Sequence, residues 1–192
     1  MISGLRLALA LLLASQLASA ENRFTVEQLM RELSQVRSAR GKFVERKDLA
    51  MLETPLESSG TLLYAAPGRV EKHMLTPREE SLVLDGDTLV IENKHTGKRR
   101  SLTLQEHPVV WGFAESIRST LTGDLATLQR FYKVALEGDA RAWRLRLEPI
   151  EPRMRQAVAE IRLGGSGTWV NRIEVLEAGG DCSVMVIERE PS

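Results

Sequence analysis

The chain has 192 residues, of which 43% are hydrophobic and 27% charged, a globular composition with the length of one domain. Lys and Arg together number 26, as do Asp and Glu, so the strong positive field of a nucleic-acid-binding protein is absent and nucleic acid is not expected as a partner. The single cysteine, Cys182, excludes a disulfide within the chain.

The first twenty residues have the pattern of a secretory signal peptide. Arg6 provides a positive charge, residues 7–13 form a short apolar run, and residues 18–20 read Ala-Ser-Ala, a small-residue cleavage site. The alternative is a membrane anchor, but the run is too short to span a bilayer. We expect residues 1–20 to be removed, which leaves residues 21–192 as one exported domain. Since only Arg6 is lost, that domain has 25 basic and 26 acidic residues.

An amphipathic helix is predicted directly after the signal peptide. Thr25 is a suitable N-cap, because its hydroxyl can accept a hydrogen bond from the first helical turn. Apolar residues then recur at spacings of three and four, as expected for one face of a helix; these residues are Val26, Leu29, Met30, Leu33 and Val36. This face has to cover other apolar surface, and the sheet that follows is the candidate.

Strands dominate the next part of the chain. Residues 40–47 predict a first strand, and residues 48–57 predict a connection or a frayed strand end. The segment 58–92 then predicts four short strands, at 62–64, 70–76, 81–84 and 88–92. Asp85-Gly86 between the last two is a strong hairpin signal, because Gly accepts a positive φ. Strands joined by such short connections pair antiparallel, so this segment is a meander.

The second half of the chain predicts two helical segments and more strands. Helices are expected at 109–118, after Pro108, and at 125–131, and strands at 98–105, 132–136, 142–147, 157–163, 169–176 and 184–188. Gly138-Asp139 and the glycine-rich residues 164–167 are expected to be hairpin loops. Trp143, Leu145 and Leu147 alternate with Arg144 and Arg146, which predicts one buried face.

These elements together predict an α+β fold. The sheet is expected to be an incomplete antiparallel β-barrel of about ten strands, with helices covering its open concave face.

The sequence contains no pattern typical of an active site. His73, His95 and His107 lie on different elements and lack the spacing of metal ligands, and no nucleophile or phosphate-loop motif is present. Residues 164–167 lead into a strand, so no helix N-terminus follows them to hold a phosphate. We therefore expect a protein that is not an enzyme and that needs neither a metal nor another cofactor.

The central meander resembles a known family. The strand that includes Gly60, the turn at Pro67, the strand ending at Thr76-Pro77 and the hairpin at Asp85-Gly86 are similar to the layout of the LolA-like outer-membrane lipoprotein carriers, and within them to a divergent branch. The order of elements matches over nearly the whole chain after residue 20. The resemblance implies a monomeric periplasmic carrier that holds acyl chains between its sheet and helices and ferries cargo from the inner to the outer membrane. The implied partners are an acylated cargo, an inner-membrane exporter and an outer-membrane acceptor.

Nine residues are candidates for the lipid cavity or its lid, because they are large apolar groups on elements expected to line the interior. They are Val110, Trp111, Phe113 and Ile117 on the predicted helix, and Leu62, Tyr64, Met74, Trp143 and Leu145 on predicted strands. Val110, Phe113 and Ile117 share a helical face that we expect to close the mouth of the barrel. The alternative is a filled core, which would suit a non-catalytic periplasmic accessory or scaffold protein of an envelope lipid export system.

The chain departs from the family at one position. In the housekeeping carriers an Arg before the turn proline bonds to the helical lid and holds the empty protein closed. Here Ala66 precedes Pro67, and the nearest basic residue is Arg69. The lipoprotein cycle is therefore in question, and the related LolA-like proteins suggest another acylated cargo as an alternative, such as an aryl polyene lipid.

Overall fold

A computed structural model describes residues 24–190. The predicted signal peptide and its cleavage site lie outside these residues. Within them the chain forms one open antiparallel sheet of eleven strands, four α-helices and one 3₁₀ turn. The structure thus has an unclosed, curled sheet as expected, with eleven strands instead of about ten.

The strands form two meanders. Their bounds are β1 Ser38–Asp48, β2 Leu56–Ala65, β3 Arg69–Thr76, β4 Glu80–Asp85, β5 Thr88–Asn93, β6 Arg99–Thr103, β7 Tyr132–Asp139, β8 Ala142–Pro149, β9 Val158–Ser166, β10 Trp169–Glu177 and β11 Cys182–Arg189. Their order in the sheet is β6-β5-β4-β3-β2-β1-β11-β10-β9-β8-β7. The meander β1 to β6 therefore meets the meander β7 to β11 at one place, the antiparallel pair β1–β11.

The helices lie before the sheet and between its strands. They are α1 Val26–Leu33, the 3₁₀ turn Leu104–Glu106, α2 Pro108–Thr122, α3 Leu125–Phe131 and α4 Pro152–Ala157. Because β6 and β7 are the two edges of the sheet, the segment that joins them has to cross a face of the sheet. This segment consists of the 3₁₀ turn, α2 and α3.

Helix α1 begins as predicted. Thr25 and Gln28 form a reciprocal capping box, in which the Thr25 amide donates to Gln28 Oε1 at 2.8 Å and the Gln28 amide donates to Thr25 Oγ1 at 3.3 Å. Leu29, Met30 and Leu33 are buried. The helix ends at Leu33, so Val36 lies in the segment that leads into β1.

The largest core cluster packs α1 and α3 against β8 and β9. The alternation predicted for β8 is confirmed, since Trp143, Leu145 and Leu147 are 3%, 0% and 0% exposed. Burying a leucine of this kind stabilises the fold by roughly 1.5–3 kcal/mol. A second cluster surrounds Phe43, and a third joins Leu84 and Leu104 to α2.

Two predicted hairpin loops are misplaced. Gly164, Gly165 and Ser166 belong to β9, and the turn is Gly167-Thr168. An added Cβ at Gly165 would lie 2.2 Å from Trp143 Cζ2, so glycine is needed there for the indole to pack on the strand. Gly138 and Asp139 likewise end β7, and the Asp139 carboxylate accepts the amides of Arg141 and Ala142 in the turn that follows.

Other elements differ from the prediction in their bounds. The strand predicted at 98–105 ends at Thr103, because Leu104 turns inward as part of the 3₁₀ turn and becomes fully buried. Helix α2 extends beyond the predicted 109–118 to Thr122, and Gly123, which the sequence offers as a C-cap, is the C-cap with a φ of 70°. Helix α4 is missing from the prediction; its first residue is Pro152, a favoured position for proline.

Candidate functional site: an apolar cavity between helix α2 and the sheet

An apolar cavity lies where α2 crosses the middle of the sheet. Ile117 and Leu121 line it from α2, Leu33 and Val36 from the end of α1 and the segment after it, and the sheet supplies the rest: Ala39, Gly41, Leu62, Leu63, Tyr64, Val70, Leu163, Thr168, Trp169, Val170, Ile173 and Ile187. The centre of a water-sized sphere can take positions within about 80 Å³ of this cavity. Nearly all of these side chains are apolar, so the cavity suits an apolar ligand.

The structure places three of the nine predicted residues at this cavity. Leu62 and Tyr64 line it from β2, and Ile117 lines it from α2. Tyr64 is buried, and burial raises the pKa of its hydroxyl, an effect that the positive charge of Arg37 opposes.

The other six predicted residues lie elsewhere. Trp143 and Leu145 belong to the filled core under α1, where the Trp143 indole donates to the carbonyl of Gly167 at 2.8 Å. Met74 packs on the Phe43 cluster. Val110 and Trp111 pack on the Leu84 and Leu104 cluster, and Phe113 is 40% exposed and does not line the cavity.

The residues that β10 and β11 contribute to the cavity, above all Trp169, are not among the predicted ones. This indole lies against β1 at Gly41, where an added Cβ would be 3.0 Å from Trp169 Cη2 and 2.7 Å from the carbonyl oxygen of Glu188. Glycine at this position therefore makes room for the indole. The available signal was Gly41 within a predicted strand, since an isolated glycine there often marks a close approach.

The inner face of α2 is polar near its middle. Glu115 is 2% exposed and accepts hydrogen bonds from Trp111 Nε1 at 3.2 Å, from Ser119 Oγ at 2.8 Å and from Arg118. Arg118 also donates to the carbonyl of Gly86 in the β4–β5 turn. The helix is thus tied to the hairpin through a buried, hydrogen-bonded ion pair.

Helix α2 is linked to the turn at Pro67 although the residue before that proline is Ala66. Arg69 pairs with Glu71 at 2.7 Å and with Asp85, and so connects strands to one another. The side chain of Arg118, in contrast, lies over the turn after Pro67, because an added Cβ at Gly68 would be 3.1 Å from Arg118 Cδ. The arginine between helix and turn therefore comes from the helix.

A second ion pair lies farther along β1, beyond the cavity. Lys72 Nζ is 2.6 Å from Glu45 Oε2, and the hydroxyls of Ser58 and Ser183 donate to the same carboxylate. Burial raises the pKa of Glu45, but the charge and hydrogen bond of Lys72 outweigh it, and the pKa of this carboxyl is below its ordinary value. The Lys72 ammonium also lies 4.9 Å from the centre of the Phe43 ring, a cation–π contact.

The cavity opens into a charged cleft at the end of the sheet where β1 begins and β2 and β11 end. The two spaces share six lining residues: Val36, Ala39, Leu63, Tyr64, Thr168 and Trp169. We call this cleft the mouth; its charged residues are Arg40, Arg69, Glu71, Arg189 and Glu190. A chain that fills the cavity would emerge among these side chains.

Neither a metal centre nor a membrane span emerges from the described part of the chain. Residues 24–190 hold no group of three or more His, Cys, Asp or Glu arranged for a metal ion. None of the helices within those residues has both the length and the apolar character required to cross a bilayer.

Several solved structures resemble the chain, all at low sequence identity. A conserved protein from Thermus thermophilus matches with a TM-score of 0.51 and 10% identity, over 86% of this chain and 88% of that one. A putative outer-membrane lipoprotein-sorting protein domain from Vibrio parahaemolyticus matches with a TM-score of 0.50 and 6% identity, over 85% and 88%. A LolA superfamily protein from Nitrosomonas europaea gives 0.46 and 12%, over 88% and 95%. These likenesses concern the fold alone.

The comparison at the level of sequence gives the family. No curated protein matches the chain significantly. The family described as outer membrane lipoprotein carrier protein LolA-like matches residues 18–188, which is nearly the whole chain. This family is associated with binding and sorting of lipoproteins or lipids. With its open eleven-stranded antiparallel sheet and its helices, the chain belongs to the LolA-like family of outer-membrane lipoprotein carrier proteins.

Proposed function

We propose that the protein is a periplasmic, non-catalytic carrier that binds an acyl chain of a lipoprotein or lipid-like cargo and ferries it from the inner to the outer membrane. The observation that supports this most is the apolar cavity between α2 and the sheet, bordered by Ile117 and Leu62. Membership of the LolA-like family is consistent with it. An inner-membrane exporter and an outer-membrane acceptor are the partners that such a cycle requires.

The size of the cavity sets how much of a chain it holds in this conformation. The centres of water-sized spheres can occupy about 80 Å³ of it. Transfer of each methylene that enters this space from water contributes about 0.8 kcal/mol. An acyl chain longer than this space requires α2 to move outward from the sheet.

The structure also contains a device that suits closure of the empty carrier. The Glu115–Arg118 pair ties α2 to the β4–β5 turn, and we propose that it replaces the arginine missing at Ala66. Cargo that displaces α2 would break the bond to Gly86. Such a latch would lower the affinity for cargo by the free energy of closing, which a carrier needs in order to release its cargo.

The test is binding of a fluorescent fatty acid to matched variants of α2. Ile117→Trp should fill the cavity and weaken binding at least tenfold, whereas Phe113→Trp, which adds the same side chain to the same helix at an exposed position, should bind as the wild type does. Ile117→Ala, which removes volume, serves as the second variant if the tryptophan disturbs folding, and it should alter the preferred chain length. Circular dichroism checks that each variant is folded.

Native cargo gives the independent measurement. Mass spectrometry of lipids extracted from the protein purified from its own periplasm should identify an acylated molecule. Wild-type protein that carries no lipid and never binds the probe would contradict the carrier and favour the accessory or scaffold protein instead.

A further inference from the structure

The mouth of the cavity contains three arginines and two glutamates, so its positive charges outnumber its carboxylates. Of its three arginines, Arg69 is held by Glu71 and Asp85. The side chain of Arg40 is 64% exposed, and its Nε lies 3.9 Å from Glu190 Oε2, which is a loose contact. Within residues 24–190, no carboxylate lies within 4.0 Å of Arg189.

Arg189 is placed at the boundary between the apolar cavity and the charged mouth. Its guanidinium lies 4.9 Å from the centre of the Trp169 ring, and Trp169 lines both spaces. Stacking on the indole orients the planar guanidinium and leaves its N–H groups for another acceptor. The arginine is therefore fixed where the polar end of a chain leaves the cavity.

A further donor lies near this point, since Arg37 is close enough to Tyr64 for its charge to act on the tyrosine hydroxyl. Arg189 lies opposite Gly41, and successive side chains of a strand point to opposite faces, so the adjacent pair Arg40–Glu190 lies on the other face of the sheet. Glu190 is the one acidic side chain of the mouth that no arginine holds closely. Guanidinium groups bind the oxygens of phosphate and carboxylate through two parallel hydrogen bonds, which makes these residues suited to such a group.

We propose that the mouth recognises an anionic headgroup, a phosphate or a carboxylate, on the amphiphile whose acyl chain fills the cavity. Arg189 is its main donor, and Trp169 positions Arg189. The inference rests on the proposed function, because it assigns the headgroup of the same cargo. It restricts that cargo to anionic amphiphiles, which the apolar cavity alone does not do.

The experiment compares amphiphiles that share one 14-carbon chain and differ in their headgroup. Lysophosphatidic acid, myristic acid, lysophosphatidylcholine and monomyristoylglycerol are titrated into the wild-type protein by calorimetry at low and high salt. The two anionic probes should bind about tenfold more tightly than the two without net charge, and the difference should shrink as salt screens the mouth. A preference for one anionic probe over the other identifies phosphate or carboxylate as the headgroup.

Charge variants show whether the mouth is responsible. Arg189→Gln should weaken binding of the anionic probes about fivefold and leave binding of the two probes without net charge unchanged. Arg40→Gln is the near control, because its side chain lies on the other face of the sheet, and it should bind the probes as the wild type does. Arg144→Gln is the distant control, because Arg144 is an exposed β8 arginine outside the mouth.

The outcomes separate the two proposals. If none of the four amphiphiles binds, the carrier proposal fails and the headgroup proposal fails with it. If all four bind equally, or if the anionic preference persists in Arg189→Gln, the headgroup proposal is overturned while the carrier stands. The three arginines replaced in these variants, Arg40, Arg144 and Arg189, are exposed, so their replacement should not unfold the protein.

Discussion

Two tryptophans pack on glycines of other strands: Trp143 on the neighbouring strand β9, and Trp169 on β1, which lies beyond β11. Trp143 packs on Gly165 inside the filled core, and Trp169 packs on Gly41 at the wall of the cavity. In each case the glycine has no side chain, so an indole can lie close to the backbone of its strand. Residue type alone does not distinguish them, which is why the sequence analysis assigned Trp143 to the cavity and missed Trp169.

The close packing at Gly165 makes a prediction about stability. Gly165→Ala should lower the free energy of unfolding by about 1–3 kcal/mol or more, because the added methyl would lie 2.2 Å from Trp143 Cζ2 and 2.4 Å from the Trp169 carbonyl oxygen. Gly164→Ala is the control in the same strand, since the nearest atom there is 3.5 Å away. Urea unfolding of both variants gives the comparison. Equal losses would mean that the indole does not pack on Gly165 as described.

The Glu45–Lys72 pair makes a prediction about pH. The pKa of Glu45 is lowered from its ordinary value of 4.5, so the unfolded chain takes up this proton at a higher pH than the folded protein does. The contribution of this carboxylate to stability is therefore complete above about pH 4.5 and is lost as the pH falls through the lower, folded value.

Unfolding midpoints measured from pH 7 to pH 3 check this dependence. The wild type should lose stability on the acid side, and Glu45→Gln should lose less over the same range because it has no proton to gain at this site. Glu57→Gln, a change at an exposed position of β2, should follow the wild type. Parallel curves for Glu45→Gln and the wild type would show that the pair does not set the acid response.

At the scale of elements, the prediction succeeds where the residues that determine an element lie within it or next to it in the sequence. The capping box at Thr25 and Gln28 marks the start of α1, and strict alternation along 143–147 identifies the buried face of β8. The hairpin at Asp85-Gly86 has a φ of 54° at Gly86, as the turn requires. In these cases the prediction and the structure agree.

Prediction failed where tertiary contacts decide. The glycines at 164 and 165 indicate a loop in the sequence, but in the structure they lie in a strand, and Trp143 packs on Gly165. Leu104 fits the pattern of the preceding strand, but its side chain is buried in the core. Only three of the nine cavity candidates reach the cavity, because a periodic pattern shows which residues are buried without showing whether their neighbours are protein or empty space.

Helix α2 and its tie to the β4–β5 turn make a prediction about motion. The double variant Glu115→Gln/Arg118→Gln removes the tie without leaving a lone buried charge, which would itself be strongly destabilising. The amides of α2 should then exchange hydrogen faster, and a fluorescent fatty acid should associate faster, because the helix leaves the sheet more often.

Hydrogen exchange by mass spectrometry distinguishes this from general loosening. The amides of β8 and β9 should keep the protection they have in the wild type. Arg130→Ala, at an exposed position of α3, serves as the control for loss of a helical arginine. Unchanged exchange in α2 of the double variant would contradict a latch.

At the scale of the whole molecule, the order of the strands explains where the cavity lies. The segment from β6 to β7 joins opposite edges of the sheet, so α2 has to cross its middle, where β1 and β11 meet. Ile117 and Leu121 face that junction across the cavity. The meanders could be predicted from short connections, whereas the β1–β11 pair joins residues far apart in sequence and has no local signal. The resemblance to the family supplied the fold that the local pattern could not.

The pairing of β1 with β11 also has a consequence for the order of events during folding. Every other strand pair joins consecutive strands, but the partner on this side of β1 is the last strand of the described chain. Loop closure over such a distance is slow compared with the formation of hairpins. Until β11 arrives, the backbone N–H and C=O groups on that edge of β1 have no partner, and the floor of the cavity is incomplete. A chain whose hairpins have formed while β11 is still unpaired therefore exposes a strand edge in its centre, a feature prone to pairing with another chain.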